Sequence, residues 1–504
     1  MKKTMQIYAY VAGLLLAVGM SGCSDKDNFS HGNVDAPRFT SFGFYQEDNP
    51  GVLAADYVAD LTAIETAGTS TVKLNVPMPA TVDKSNLIAR FTTAEGTTVR
   101  VNGTVQTSRT TANNFTVPVD YIVGLGALNV RYAVTVVKVT NMKWTETTPF
   151  SDLTVYGDAV MKINPQDGLP YIGFKVRTAD DNRSAVIKLT NSGWAYVGEG
   201  AFGHKISGSY FDMSFSTDGV PYVAYSDNEA ADKGAMSVQH FDGSTWTYTG
   251  GTAGILKAQS NYVSLAVLAN GQVVGAQINN SRSADYPQRK LVVSVYKNGI
   301  WSSEIPPMLT NDVAMVSAAG GTSAAYLISI NRGKVNGVDY GYNILKYENN
   351  TWSSLLLNHP ESGYTQHNIR TIGIYVAPNQ TPYIWTMDKV SGETGIRLKY
   401  YDTATNNWIT VGGNILPLGF TPDRHTAMAL AVTASGTPYI AYNNATDQNR
   451  PYFMYLDPDT RQWSTPAKIS DTPASGLSIA FTNSGVGYVT FRDSKNLLHT
   501  FKYE

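Results

Sequence analysis

Two short signals recur at a near-constant step from about residue 140 to the end of this 504-residue chain. That period limits what the chain can fold into more than any other feature. The first signal is a tight turn followed by an aromatic strand opening. It stands at Gly168-Leu-Pro-Tyr171, Gly219-Val-Pro-Tyr222, Gly271-Gln-Val-Val274, Ser323-Ala-Ala-Tyr326, Gln380-Thr-Pro-Tyr383, Gly436-Thr-Pro-Tyr439 and Gly485-Val-Gly-Tyr488, at steps of 49 to 57 residues. The second is a tryptophan opening a strand after a turn. It stands at Trp144, Trp194, Trp246, Trp301, Trp352, Trp408 and Trp463, at steps of 50 to 56 residues.

Within one unit the alternation of apolar and polar residues predicts four strands: Tyr210–Ser216, Val220–Asp227, Ala235–Phe241 and Thr245–Thr249. Four short strands in about 50 residues make a propeller blade, and seven copies of both signals predict seven blades. The phase of the ends adds closure. The chain stops at Glu504, after Leu497–Tyr503, which matches the third strand of the other units. Trp144 would supply the missing fourth strand, joining the two ends and removing the free edges of the ring. In register with Asp212 on the innermost strand stand Ser264, Gly373, Ala429 and Ser478, small as expected near a narrow axis. Asp212 itself reads as a hydrogen-bonded channel residue. Trp385 interrupts a column of small residues on the second strand and reads as packing.

Residues 36–141 show strands and no amphipathic helix: Ser70–Pro77, Asn86–Thr92, Thr97–Asn102, Asn114–Val123 and Val130–Val139. Short strands ending in a long alternating one predict a sandwich. The run from Val101 to Val139 resembles the bacterial immunoglobulin-like and cadherin-like modules of surface lipoproteins, where such a module is a spacer. Pro118 between Val117 and Val119 predicts an edge strand or a bulge. The fold class expected is therefore all-β, an N-terminal Ig-like β-sandwich followed by a seven-bladed β-propeller over 142–504 with N/C-terminal strand closure.

The first 35 residues are an address. Lys2 and Lys3 precede the apolar run Val11–Met20, which is too short to span a bilayer. It ends in Met20-Ser21-Gly22-Cys23, which resembles the lipobox of bacterial lipoproteins. The resemblance implies a signal peptide over 1–22 and lipidation of Cys23. Ser24-Asp25-Lys26-Asp27 is similar to the acidic tract that sends Bacteroidetes-type lipoproteins to the outer face of the outer membrane. Residues 23–35 are expected to form a flexible tether.

Composition excludes other classes. Charged residues are 15% of the chain and the formal net charge is −2, so there is no electrostatic footprint for nucleic acid. One cysteine makes neither an internal disulfide nor a cysteine zinc site. The seven histidines have no zinc-ligand spacing, and there is no G-x-S-x-G elbow or phosphate-binding glycine loop. No cofactor and no metal are expected. The turn in Phe241-Asp-Gly-Ser-Thr-Trp246 resembles the Asp-box of sialidase-like propellers, with its Asp one position late, and Asn298-Gly-Ile-Trp301 lacks it. Kelch-type blades carry a glycine pair after their second strand, whereas Gly250-Gly251 and Gly412-Gly413 follow the Trp strand. These resemblances imply architecture and no catalytic residue.

Turns between first and second strands are tight, while the connections at the opposite face are long and varied, such as Asn279–Arg289, Asn331–Tyr342 and His359–Arg370. Variable loops on a rigid scaffold carry function. Tyr210, Asp212, Tyr262, Asp312, His367, Arg370, Asp423, Arg424 and His425 fall around the mouth on that face. Aromatic, basic and acidic groups converging on a concavity suit a polar ligand such as a glycan. The expected function is non-catalytic binding of a glycan or another extracellular partner by a surface lipoprotein that meets the membrane only through its lipid. The alternatives are a carbohydrate-active enzyme, sialidase-like or lyase, and an adhesion or assembly scaffold.

Overall fold

A computed structural model describes residues 37–504 apart from 63–64, 67–70, 140–141, 149, 151–153, 178–181, 283–284, 361–371, 391–392, 414–415 and 418–427. Cys23, the lipobox and the tether lie outside the described residues. Among those described there is no α-helix, and no helix long and apolar enough to cross a membrane.

The first unit is a two-sheet sandwich. One sheet joins Phe39–Phe44 to Leu87–Thr93, and the other holds Thr71–Pro79, Leu128–Val139, Val119–Leu125 and Thr98–Val101. Thr71–Pro79 alternates buried and exposed residues along its length, the signature of a strand with one wet face. Leu74, Val76 and Met78 meet Phe39, Phe42, Phe44, Tyr121 and Tyr132 in one core. The sequence pattern missed the strand Phe39–Phe44. Pro118 is neither in an edge strand nor at a bulge: the strand starts at Val119, and Asn114 closes a turn before it by accepting the Thr116 amide at 2.9 Å.

Among the described residues the second unit forms seven antiparallel sheets of four or five strands, numbered I to VII here by their inner strands, and a two-stranded ribbon of Lys334–Val335 with Val338–Asp339. The inner strands are Val160–Ile163, Ile206–Phe215, Ser260–Val267, Val313–Gly320, Ile372–Val376, Met428–Val432 and Ser475–Phe481. Each sheet meanders outward through four strands, with Leu416–Pro417 added to sheet V. In sheet VII the outermost strand is Trp144–Glu146, which pairs with Leu498–Tyr503, Trp144 opposite Tyr503. Inner strands of neighbouring sheets touch from VI through VII and I to V, and sheets V and VI share one hydrophobic core.

The repeated tryptophans lock each sheet to the one before it. Trp246 Nε1 donates to the Val197 carbonyl at 2.8 Å, and Trp301 Nε1 to the Thr249 carbonyl at 2.7 Å. The glycine that follows each of these carbonyls makes the room. A Cβ on Gly250 would lie 2.8 Å from Trp301 and one on Gly412 2.1 Å from Trp463, while one on Gly198 would lie 2.7 Å from Phe241, the ring beside Trp246. Gly198, Gly250 and Gly412 also have positive φ. Where the equivalent position is Ile305 or Leu356, the next indole, Trp352 or Trp408, has no hydrogen-bond partner among the described residues. Trp463 opens no strand. It makes a single bridge to Leu456, and the strand after it is Ala467–Lys468, delayed by Pro466, which has no amide to give.

The sandwich sits on the short-turn face. Lys138 Nζ donates to Asp457 Oδ2 at 2.8 Å and to the Tyr455 hydroxyl at 3.2 Å. Ser435 Oγ donates to the Ala80 carbonyl, and Thr81 presses against Gly485.

Two predictions follow from these contacts. Gly250→Ala adds a clash to a left-handed backbone and should cost about 3 kcal/mol in denaturant unfolding; Gly251→Ala, with nothing near its Cβ, should cost about 1 kcal/mol. Equal losses would sink the interlock. Lys138, joined by the Thr460 and Asp459 amides, holds the Asp457 carboxyl at about 2, below its ordinary 3.8. A carboxyl lowered on folding stabilises above its unfolded value and loses that stability as pH falls through the folded one. The melting-temperature gap between the parent chain and Lys138→Met should therefore be full above about pH 4 and shrink toward pH 2.

Candidate functional site

The inner strand of each sheet is an edge, so alternate amides point at the axis without a strand partner. A side chain from the neighbouring sheet accepts them. Ser478 Oγ accepts the Met161 amide at 3.0 Å, Asp212 Oδ2 the Leu265 amide at 2.8 Å, and Ser264 Oγ the Ala318 amide at 2.9 Å. The acceptors occupy equivalent register positions, opposite Thr490, Ala224 and Ala276. In sheet I that position is Val160, opposite Gly173, which has no acceptor to offer sheet II. Asp212 fills the gap: its Oδ1 accepts its own neighbour's amide, Met213, at 2.8 Å. Asp212 Oδ2 also takes the Ser264 hydroxyl at 2.8 Å. Burial pushes the Asp212 carboxyl above its usual value, against the pull of the Lys162 ammonium, the Ser264 hydroxyl and the two amides. Both of its oxygens are spent on the protein itself. Gly373 owes its size to a different neighbour, since a Cβ there would lie 1.9 Å from Trp385. Trp385 packs on the core of sheets IV to VI.

Two residues above Asp212, Tyr210 lies with its ring 4.6 Å from that of Tyr262, so the structure brings these two candidates together at the mouth. Both sit at bulges where the inner strand slips register, and Tyr262 has φ 52°. The bulge in sheet II is held from sheet I: the fully buried Lys175 donates to the Gly208 carbonyl and lies 4.9 Å from the Tyr156 ring. Burial lowers the Lys175 amine to about 8. Asp312 stands apart from the tyrosines, paired with Lys290 at 2.9 Å. His367, Arg370, Asp423, Arg424 and His425 lie outside the described residues.

A polar cavity of about 280 Å³ opens on the same face between sheets II and III. Ser207, Asn228, Asp232, Lys233, Lys257 and Gln259 line most of it. Its walls are clasped by backbone. The Asn228 amide donates to the Lys205 carbonyl at 2.8 Å, Asn280 to Gln259 at 2.7 Å, Ser260 to Gly234 at 2.7 Å and Asp285 to Lys257 at 3.1 Å. The same clasp joins Arg177 to Thr154 in sheet I and Arg332 to Asp312 in sheet IV. Below the cavity lies Asp227, fully buried, which accepts the Glu229 and Ala230 amides at 2.9 Å, the Ser237 hydroxyl at 2.7 Å and His204 Nδ1 at 3.1 Å. The carboxylate thereby fixes both the loop 228–234 and the imidazole. Sequence spacing gave no signal for this pair, because His204 comes from a loop and Asp227 from a strand end 23 positions on. Nor did it show that Asp402 and Asp457 close turns as Asp242 does. Asp242 Oδ1 accepts the Ser244 and Thr245 amides, and those amides hold its carboxyl at about 2. Among the described residues no three His, Cys, Asp or Glu side chains stand together as metal ligands would.

No protein-family model matches the chain, and no curated protein does. Similar solved structures include a polysaccharide lyase described as PL25 ulvan lyase, at 11% identity and TM-score 0.46, covering 70% of this chain and 95% of that one. The β-propeller domain of the Trilobed protease from Pyrococcus furiosus matches at 8% identity and TM-score 0.41, over 69% and 96%. The six-bladed, fucose-recognising lectin of Aleuria aurantia matches at 15% identity and TM-score 0.36, over 58% and 91%. Likenesses this remote leave ligand and chemistry to the residues themselves.

The girdle makes a specific prediction. Asp212→Asn leaves one oxygen for two amides and should cost about 1–3 kcal/mol. Val160→Ser places a hydroxyl where Ser264 and Ser478 carry theirs, so the double variant should recover at least about 1 kcal/mol. Additive losses in a double-mutant cycle would remove the role assigned to Asp212.

Proposed function

We propose that the seven sheets are the blades of one closed ring, that the sandwich is an immunoglobulin-like spacer, and that the chain is an outer-membrane surface lipoprotein binding a glycan without catalysis. One observation carries the binding reading: a clasped polar cavity on the same face as a tilted, half-buried tyrosine pair, opposite the sandwich. Hydroxyl-rich ligands need many fixed donors and acceptors together with flat apolar surfaces, and this face supplies both. The tether direction supports the anchor. Phe39 packs against Tyr132, 4.8 Å between rings. Tyr132 lies seven residues, or about 23 Å of strand, before Val139 at the propeller end. The chain therefore enters the sandwich at its far end, and a lipid on Cys23 would leave the long loops pointing outward.

A second reading, a carbohydrate-active enzyme, rests on His204. Its contact with the Asp227 carboxylate requires a proton on Nδ1, which leaves Nε2 as the nitrogen able to accept a proton from a ligand. Release of oligosaccharides by the parent chain, abolished in His204→Gln with the fold intact, would establish it.

The Cys23→Ala chain should leave the membrane fraction, and unchanged fractionation would end the anchor proposal. That soluble chain should bind at least one polysaccharide or host glycan on an array, with Tyr210→Ala weakening binding at least about tenfold. Binding to none would remove the glycan reading.

A further inference from the structure

The cavity between sheets II and III has a charge arrangement that narrows the ligand. Lys233 and Lys257 line it against a single carboxylate, Asp232. The other carboxylates of the surrounding loops are engaged elsewhere. Glu229 accepts the Lys205 amide at 2.8 Å, Asp285 accepts the Lys257 amide at 3.3 Å, and Asp227 is buried on four donors beneath the floor. These three carboxylates keep their charge but stand outside the lining, where two ammonium groups face one carboxylate. Asn228, Gln259, Ser207 and Ser281 add neutral hydrogen-bonding groups around the same space. At about 280 Å³ the cavity lies at the small end of ligand pockets, with room for one monosaccharide-sized group.

We propose that this cavity is an acidic-sugar subsite, in which Lys233 and Lys257 receive the carboxylate or sulfate ester of one residue of a glycan whose neighbouring rings extend toward Tyr210 and Tyr262. The inference rests on the glycan reading above and names its ligand class. Charge-assisted hydrogen bonds from two ammonium groups are stronger than neutral ones and select against an uncharged sugar of the same shape. The backbone clasps hold the cavity walls before the ligand arrives, so little ordering cost falls on binding. Both lysines are exposed at the rim, so the attraction is partly screened and must weaken with salt.

The test is titration calorimetry on the full mature chain with matched pairs. One pair is an oligogalacturonide and its methyl ester; the other is a carrageenan oligosaccharide and its desulfated form. The acidic member of at least one pair should bind at least tenfold tighter, and raising salt from 50 to 500 mM should erode that preference. The two pairs separate carboxylate from sulfate recognition. Lys233→Gln with Lys257→Gln should abolish the preference while leaving the melting temperature unchanged. Lys297→Gln, on the opposite face, should change nothing. Equal binding of charged and uncharged forms would overturn the acidic subsite while leaving the glycan reading standing. An acidic preference that survives both substitutions would also overturn it. Binding to no saccharide on the array would overturn both.

Discussion

Each inner strand of this chain ends its sheet at an axis where no further strand can pair. The structure depends on how those edge amides are satisfied. An unpaired amide in a narrow, water-poor channel costs about as much as a lost hydrogen bond, and a seven-sheet unit presents several per sheet. Side chains one sheet away accept them: Ser478 for Met161, Asp212 for Leu265, Ser264 for Ala318. Because each acceptor belongs to a neighbour, satisfying the edge also fixes the spacing and rotation of adjacent sheets. Asp212 shows the rule through its exception. A carboxylate replaces a hydroxyl where the preceding sheet carries Val160, because two oxygens on one residue can serve two amides. The cost is a buried charge, opposed by Lys162.

At the outer rim the same coupling is made with indoles and glycines. Trp246 and Trp301 reach back to a carbonyl of the previous sheet, and the following glycine leaves the space the ring needs. Inner and outer couplings both join neighbours in sequence, which is why a period of about 50 residues shows so clearly. Selection on one interface type, repeated, leaves one residue type at one step.

That also explains what the sequence made legible. The unit length, the pairing of the Trp144 strand with the last strand of the chain and the tight-turn face follow from periodic residues, and the sheet order agrees with them. The glycine pairs at Gly250 and Gly412 were visible but had no evident reason until the neighbouring tryptophan was in place. The tyrosine pair was legible because Tyr210 and Tyr262 stand at the same phase of two successive inner strands. The cavity was not. Its lining comes from loops that differ from unit to unit, and the Asp227 carboxylate that organises it looks like any strand-end aspartate in the sequence. Periodic features report the scaffold, and aperiodic ones report what the scaffold carries.

The two faces of the seven-sheet unit therefore answer to different physics. On the short-turn face the turns of sheets VI and VII meet the sandwich: Lys138 on Asp457, Thr81 on Gly485, Ser435 on Ala80. A surface committed to packing cannot vary, since each turn must keep its shape for the sandwich and for its neighbours. The long-loop face carries no such burden from the sandwich. Its loops are pinned at their roots by the Asn228, Asn280 and Arg332 amides and further out by bonds particular to each loop, such as Asp285 to Lys257, so they can differ in length and chemistry. The fold separates the two demands by strand direction alone. In an antiparallel meander every first-to-second turn falls on one face and every second-to-third loop on the other. The sandwich docks where the turns are short, and the long loops lie on the other face.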